Sequence, residues 1–199
     1  MLKKIAIVIA VLIVAVLGYA TTMPDNFKIE RSTTINAPAE TIFPHINTYK
    51  AWIAWSPFEK KDPAMKRDYS GAESGVGSKY AWDGNSDIGA GSMEITESVL
   101  NVKVVMAMHF LRPMDSKSTV TFTITPQADG SMVTWTMTGP NAFINKVMNV
   151  FINIDKMVGA DFEAGLSDLK AIAEKQAADE KAKAAQEAPA PEAAPMEQK

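Results

Sequence analysis

Between residues 101 and 139 the chain alternates apolar and polar side chains in three separate runs, and no other feature limits the fold as tightly. In NVKVVMAMHFLRP one face carries Val102, Val104, Met106, Met108 and Phe110, and the other carries Lys103, Val105, Ala107 and His109. In STVTFTITP the apolar face is Val120, Phe122 and Ile124, set against Thr119, Thr121, Thr123 and Thr125. In SMVTWTMTG it is Val133, Trp135 and Met137, set against Thr134, Thr136 and Thr138. Period-two alternation is the mark of a strand buried on one side. A sheet with one oily and one threonine-rich face must press the oily face onto something else.

The cover comes next in the chain. From Asn141 to about Lys175 the period becomes helical, and Ile144, Val147, Met148, Phe151, Ile154, Val158, Phe162, Leu166 and Leu169 recur at threes and fours. One helix over this span would be about 50 Å long at about 1.5 Å per residue. Ahead of the sheet, FKIERSTTI at 27 to 35 reads as a further strand. NAPAETIF then reads as a short helix, capped by Asn36, with Pro38 in its first turn and Pro44 limiting its length. Between Met65 and Gly139 the glycines Gly71, Gly75, Gly77, Gly84, Gly89 and Gly91 separate short strands, and Asp129-Gly130 marks a hairpin. The fold class is α+β: a curved antiparallel sheet wrapped around a long C-terminal helix.

Both ends differ from this middle. MLKKIAIVIAVLIVAVLGYA places two lysines before a run without charge. As a helix, residues 5 to 23 reach roughly 28 Å, enough to cross a hydrocarbon core. A retained anchor and a cleaved signal peptide both fit, and both put the main domain outside the cytoplasm, because the lysines hold the first residues inside. The span length favours a single-pass anchor in the cell membrane, held by residues 5–22, with the domain periplasmic in a Gram-negative cell. From Ala177 the chain has neither aromatic nor β-branched residues, and Pro189, Pro191 and Pro195 stop any helix. The expected division is an anchor at 1–23, a domain at 24–176 and a solvated tail at 177–199.

NAPAETIF, AWIAWSPF, YSGAESGVGSKYAWDGN, GAGSMEI, the strand ending FLRP, VTWTMTG and VGADFEAGLSDLK follow one another in order. As an ordered set they resemble the START-like helix-grip superfamily (SRPBCC), within it the bacterial polyketide cyclase/dehydrase-like group, over roughly residues 27 to 176. The resemblance implies two short helices after the first strand and an elongated cavity between sheet and C-terminal helix. Many members bind lipids, sterols or polyketides there, and a minority are catalytic. It places Trp52 and Trp55 at one end of that cavity, either as core closure or as ligand contacts.

The candidate lining residues are Trp52, Trp55, Tyr80, Trp82, Met93, Met106, Met108, Phe110, Phe122, Trp135, Met137, Met148 and Phe151. The methionines suit either an adaptable pocket or an irregular core. Catalytic residues are harder to find. Of two histidines, His109 lies on the lysine side of its strand and His45 sits in a short helical region, where a surface or capping role fits best. Arg67, Tyr69, Tyr80 and Glu94 are polar residues with inward potential, but the glycine-rich segment leaves their parity open. With no cysteine, disulfides, thiolate nucleophiles and Cys-ligated zinc are excluded. No HExxH-type spacing occurs, Gly75-Val76-Gly77-Ser78-Lys79 lacks the order of a phosphate loop, and a net charge of -3 gives no nucleic-acid face. The reading favoured is a membrane-tethered, non-catalytic binding module for a hydrophobic small molecule or lipid, without cofactor or metal. An enzyme of cyclase/dehydrase or hydrolase type using the same cavity is the alternative. A third reading is an envelope interaction protein with a filled core.

Overall fold

The computed structural model describes residues 1–187. A first helix, α1 (Leu2–Thr21), precedes a seven-stranded antiparallel sheet of order β1-β7-β6-β5-β4-β3-β2. The strands are β1 (Asn26–Ile35), β2 (Lys66–Gly71), β3 (Ser78–Asp83), β4 (Ala90–Val99), β5 (Lys103–Arg112), β6 (Ser116–Gln127) and β7 (Gly130–Pro140). Helices α2 (Ala39–Asn47) and α3 (Pro57–Lys61), with a 3₁₀ helix Tyr49–Ala54 between them, link β1 to β2. Helices α4 (Phe143–Asn149) and α5 (Ile154–Glu187) follow β7. The chain is an α+β helix-grip protein.

Register confirms the alternation. Val120 lies between Met106 and Met137, and Phe122 between Val104 and Trp135, all on the inward face. Thr121 pairs Val105 and Thr136 on the outward one. A register shift between Ile95 and Glu97 lets β4 bend, as curvature around a helix requires. Gly130 closes the β6–β7 hairpin at φ +145, where an added Cβ would meet the Ile35 carbonyl oxygen at 2.2 Å, so only glycine fits.

Helix α5 lies along β1. Near its start Arg31 of β1 donates to Glu163 at 2.7 Å and to Asp155 at 3.1 Å. Farther on, Lys170 Nζ donates to the Thr34 carbonyl at 2.6 Å, and the Asn36 N–H to Glu174 at 2.8 Å. The core gathers beneath it from Ile29, Ile35, Ile42, Trp55, Phe122, Trp135, Phe162, Leu166 and Leu169.

Three local expectations are corrected. The apolar stripe from Asn141 is not one helix: the chain breaks at residues 150–153, and Asn153 Oδ1 accepts the Lys156 N–H at 2.8 Å to start α5. Asparagine competes with the helical backbone as a cap, which explains why the break falls there. Asn36 does not cap α2; Pro38 stands at that position without a side-chain cap bond, while the Asn36 N–H is taken by Glu174. The segment read as a tail from Ala177 is helical through Glu187, because its alanines, glutamates and lysines are strong helix formers. The rest of that segment, 188–199, lies outside the described residues.

Candidate functional site

The concave face has a closed end and an open end. At the closed end the 3₁₀ helix drives Trp52 and Trp55 inward. Their ring centroids lie 4.9 Å apart, and Trp55 stands 5.7 Å from Trp135. Trp135 packs 4.8 Å from Phe122 and stacks at 4.1 Å on Phe162 of α5. The indole N–H groups of Trp52 and Trp55 donate to the carbonyls of Ile46 and His45, each at 3.0 Å. Both tryptophans are core closure. The elongated space expected between sheet and α5 is therefore filled at this end by aromatic rings, which also bury Met93 and Met106.

A polar cluster is enclosed beside these rings. The buried Glu59 carboxylate of α3 accepts the Tyr80 hydroxyl at 2.8 Å and Arg67 Nε at 2.7 Å. Arg67 also donates to the carbonyls of Met65 and Pro63, at 2.8 Å and 3.2 Å. Burial, then the bond to Glu59, pushes the Tyr80 phenol far above its ordinary value. Tyr69 stacks on Tyr80 at 5.2 Å and Tyr49 approaches it at 5.6 Å. Burial raises both of these phenols as well, and their hydroxyls have no partner among the described residues. Tyr49 and Tyr69 line a cavity of about 220 Å³ that Lys50, Glu73 and Lys79 also border. Glu94, which the sequence left open, faces outward against Lys79 at 3.4 Å.

The open end lies at the start of β1 and the end of β7, where α5 has not yet begun to cover the sheet. Here Phe27, Trp82, Met108, Phe110 and Met137 are only half-buried, with Ile154 and Val158 of α5 beside them. The Trp82 and Phe110 rings meet edge to face at 5.7 Å. Gly91 and Gly139 make room for the rings: an added Cβ would meet Trp82 at 2.6 Å and Phe27 at 2.9 Å respectively.

A larger cavity, about 980 Å³, runs across the strands of the sheet. Its lining includes Lys28, Lys79, Glu94, Ala107, Thr119 and Thr138 of the outward parity together with Phe27, Tyr80, Met93 and Met108 of the inward one, and none of its lining residues lies on α5. Both histidines have side-chain partners: His45 Nε2 meets Gln176 at 2.8 Å, and His109 faces outward beside Asp115 at 3.2 Å. Among the described residues no three His, Asp or Glu side chains converge as metal ligands.

The thirteen expected lining residues thus divide. Trp52, Trp55, Tyr80, Met93, Met106, Phe122 and Trp135 are core, while Trp82, Met108, Phe110 and Met137 stand at the open end. Met148 and Phe151 belong to neither; both are exposed, on α4 and on the α4–α5 link, because the helix breaks before reaching the sheet. Phe27, Ile154 and Val158 also stand at the open end and were not among the thirteen, though all follow from strand parity or helical period. Glu59 carried no periodic signal at all.

A family model described as polyketide cyclase / dehydrase and lipid transport matches residues 26–174. Among solved structures, protein CV1439 from Chromobacterium violaceum is 16% identical with a TM-score of 0.53, the match covering 76% of this chain and 99% of that one. Major latex-like protein 151 from Panax ginseng is 15% identical with a TM-score of 0.50, covering 74% and 97%. The di-domain ARO/CYC StfQ of the steffimycin biosynthetic pathway is 12% identical with a TM-score of 0.58, covering 77% of this chain and 52% of its own. At such identities the likeness shows a shared fold. Comparison with curated proteins returns no match.

Proposed function

Because the chain belongs to the polyketide cyclase / dehydrase and lipid transport family, we propose that it is a membrane-tethered binding module for a hydrophobic small molecule or lipid, held without chemistry at the open end of the grip. The observation that carries this is the row of half-buried apolar side chains Phe27, Met108, Phe110 and Met137 on the concave face, uncovered ahead of the start of α5. Burying apolar surface stabilises a complex by about 25 cal/mol per Å², and such a surface waits for a partner. The methionines adjust to loosely shaped ligands. Helix α1 is long and apolar enough to span a membrane. As a retained anchor it keeps the domain beside a source of apolar ligand. Filling of the closed end restricts the ligand to the mouth and to whatever depth the Met93 and Met106 side chains yield.

Native mass spectrometry of the full chain, released from its own membrane in nanodiscs, tests the reading. An apolar adduct on the wild-type chain, lost on Met108→Glu with Met137→Lys, supports it. A ligand-free wild-type chain contradicts it.

A second reading has its own observation. Glu59, Tyr80, Tyr49 and Tyr69 bring a carboxylate and three phenols together in one enclosed cluster, with the Tyr49 and Tyr69 hydroxyls free to donate to a substrate oxygen. A cyclase or dehydratase would take its substrate in the cavity that Tyr49 and Tyr69 line, their hydroxyls donating to the substrate oxygen. Aldol cyclisation of a poly-β-ketone mimic by the full chain, followed by loss of water from the resulting β-hydroxyketone, abolished in Tyr49→Phe with Tyr69→Phe, would establish this; equal rates in both chains would remove it.

A further inference from the structure

We infer that α4 and the α4–α5 link form a second, interfacial membrane contact that seats the open end of the grip on the bilayer surface. The inference deepens the tethered reading above and rests on it.

Residues 142–154 read AFINKVMNVFINI. This stretch holds no carboxylate, and its one charge, Lys146, is buried and spent on Asp25 at 2.6 Å. What it shows to solvent is therefore apolar or asparagine. Phe143, Ile144, Met148, Phe151 and Ile152 are all exposed, with Ile144 at 57% and Phe151 at 73%. A contiguous apolar patch of this kind marks a contact surface on a soluble domain.

Position identifies the partner as lipid. Helix α4 packs against α1, whose one buried residue is Ala20, in the last turn. The segment leaving α1 is fastened to the start of α4: the Asn141 N–H donates to the Asp25 carbonyl at 2.7 Å, and its side chain to the Pro24 carbonyl at 3.0 Å. If α1 crosses the bilayer, its last turn lies at the membrane–water boundary, and α4 lies there with it. Apolar side chains without charge belong at that depth, where a short amphipathic element lies in the plane of the membrane. Phe27, Ile154 and Val158, at the lip of the open end, flank the same segments in sequence. An apolar ligand would then pass between bilayer and grip without crossing water.

The chain has no cysteine, so single-cysteine spin labels report one position each. The full chain carrying Phe151→Cys, Ile144→Cys, Leu100→Cys or Leu12→Cys is reconstituted in vesicles of phosphatidylcholine and phosphatidylglycerol. Collision rates with oxygen, which concentrates in lipid, and with a water-soluble nickel complex are then measured. Leu100, in the β4–β5 turn, is 73% exposed, the same as Phe151, and serves as the matched aqueous control. The expected result is lipid-type accessibility, oxygen several-fold over nickel, at Phe151 and Ile144, with the reverse at Leu100. Water-type accessibility at Phe151 and Ile144 overturns the contact. So does protection from both reagents, the signature of a protein partner or second copy. Leu12 separates the two failures: lipid at Leu12 with water at Phe151 sinks this inference alone, while water at Leu12 sinks the tether with it.

Discussion

Trp135 decides at the level of one side chain whether the grip is open or filled. It stacks nearly parallel on Phe162 and borders Trp52, Trp55 and Phe122, so nothing nearby can collapse into the space it would leave. Trp135→Ala is expected to cost about 3–5 kcal/mol in urea unfolding. Trp135→Phe should cost clearly less, since it also removes an indole N–H buried without an acceptor. The tyrosines give a pH test. Burial raises the phenols of Tyr49 and Tyr80 above the ordinary 10.0. Their folded forms hold protons that the unfolded chain releases, so stability is fully present below 10 and falls as pH rises past it. Tyr49→Phe should reduce that alkaline loss and leave stability at pH 7 unchanged or higher, because its hydroxyl has no bond to lose. Tyr80→Phe should destabilise at pH 7 by leaving Glu59 short of a donor. Phe122, Trp135 and Met106 were legible as inward residues because strand parity is strict. Glu59 was not, because a five-residue helix has no period to read.

At the scale of elements, α5 is held close by its small residues. An added Cβ at Gly165 would meet Pro57 Cδ at 2.8 Å and the Trp135 ring at 2.9 Å. Alanine would gain about 1 kcal/mol of helix propensity over glycine, but overpacking costs about 1–3 kcal/mol. Gly165→Ala is therefore expected to lower the melting temperature. The α4–α5 break was illegible for a different reason. Apolar residues at threes and fours identify a helix face without saying what it faces, and those of α4 face away from the sheet. Its fastening to the chain after α1 is acid-sensitive: the Lys146 bond draws the Asp25 carboxyl below the ordinary 3.8. A lowered folded value means the contact is complete above 3.8 and fades as pH falls through the folded value. A spin label at Phe151→Cys should gain mobility in acid, and Asp25→Asn should show that mobility already at pH 7.

For the whole molecule, the sequence conveyed the oily inward face, the helix that covers it and the apolar span ahead of it. It did not convey where α5 begins relative to the sheet, and that offset creates one closed and one open end. The offset follows from long-range pairs such as Arg31 with Asp155 and Lys170 with the Thr34 carbonyl, which no local pattern encodes. The open end shares its edge of the sheet with the strand that follows α1 and the strand that precedes α4, so α1, α4 and the half-buried apolar row converge on one side. The most direct measurement is photo-crosslinking of the membrane-reconstituted full chain with a fatty acid bearing a terminal diazirine, followed by peptide mapping. Adducts are expected on Phe27, Met108, Phe110 and Met137 in addition to α1. Adducts confined to α1, with none on the concave face, would contradict it.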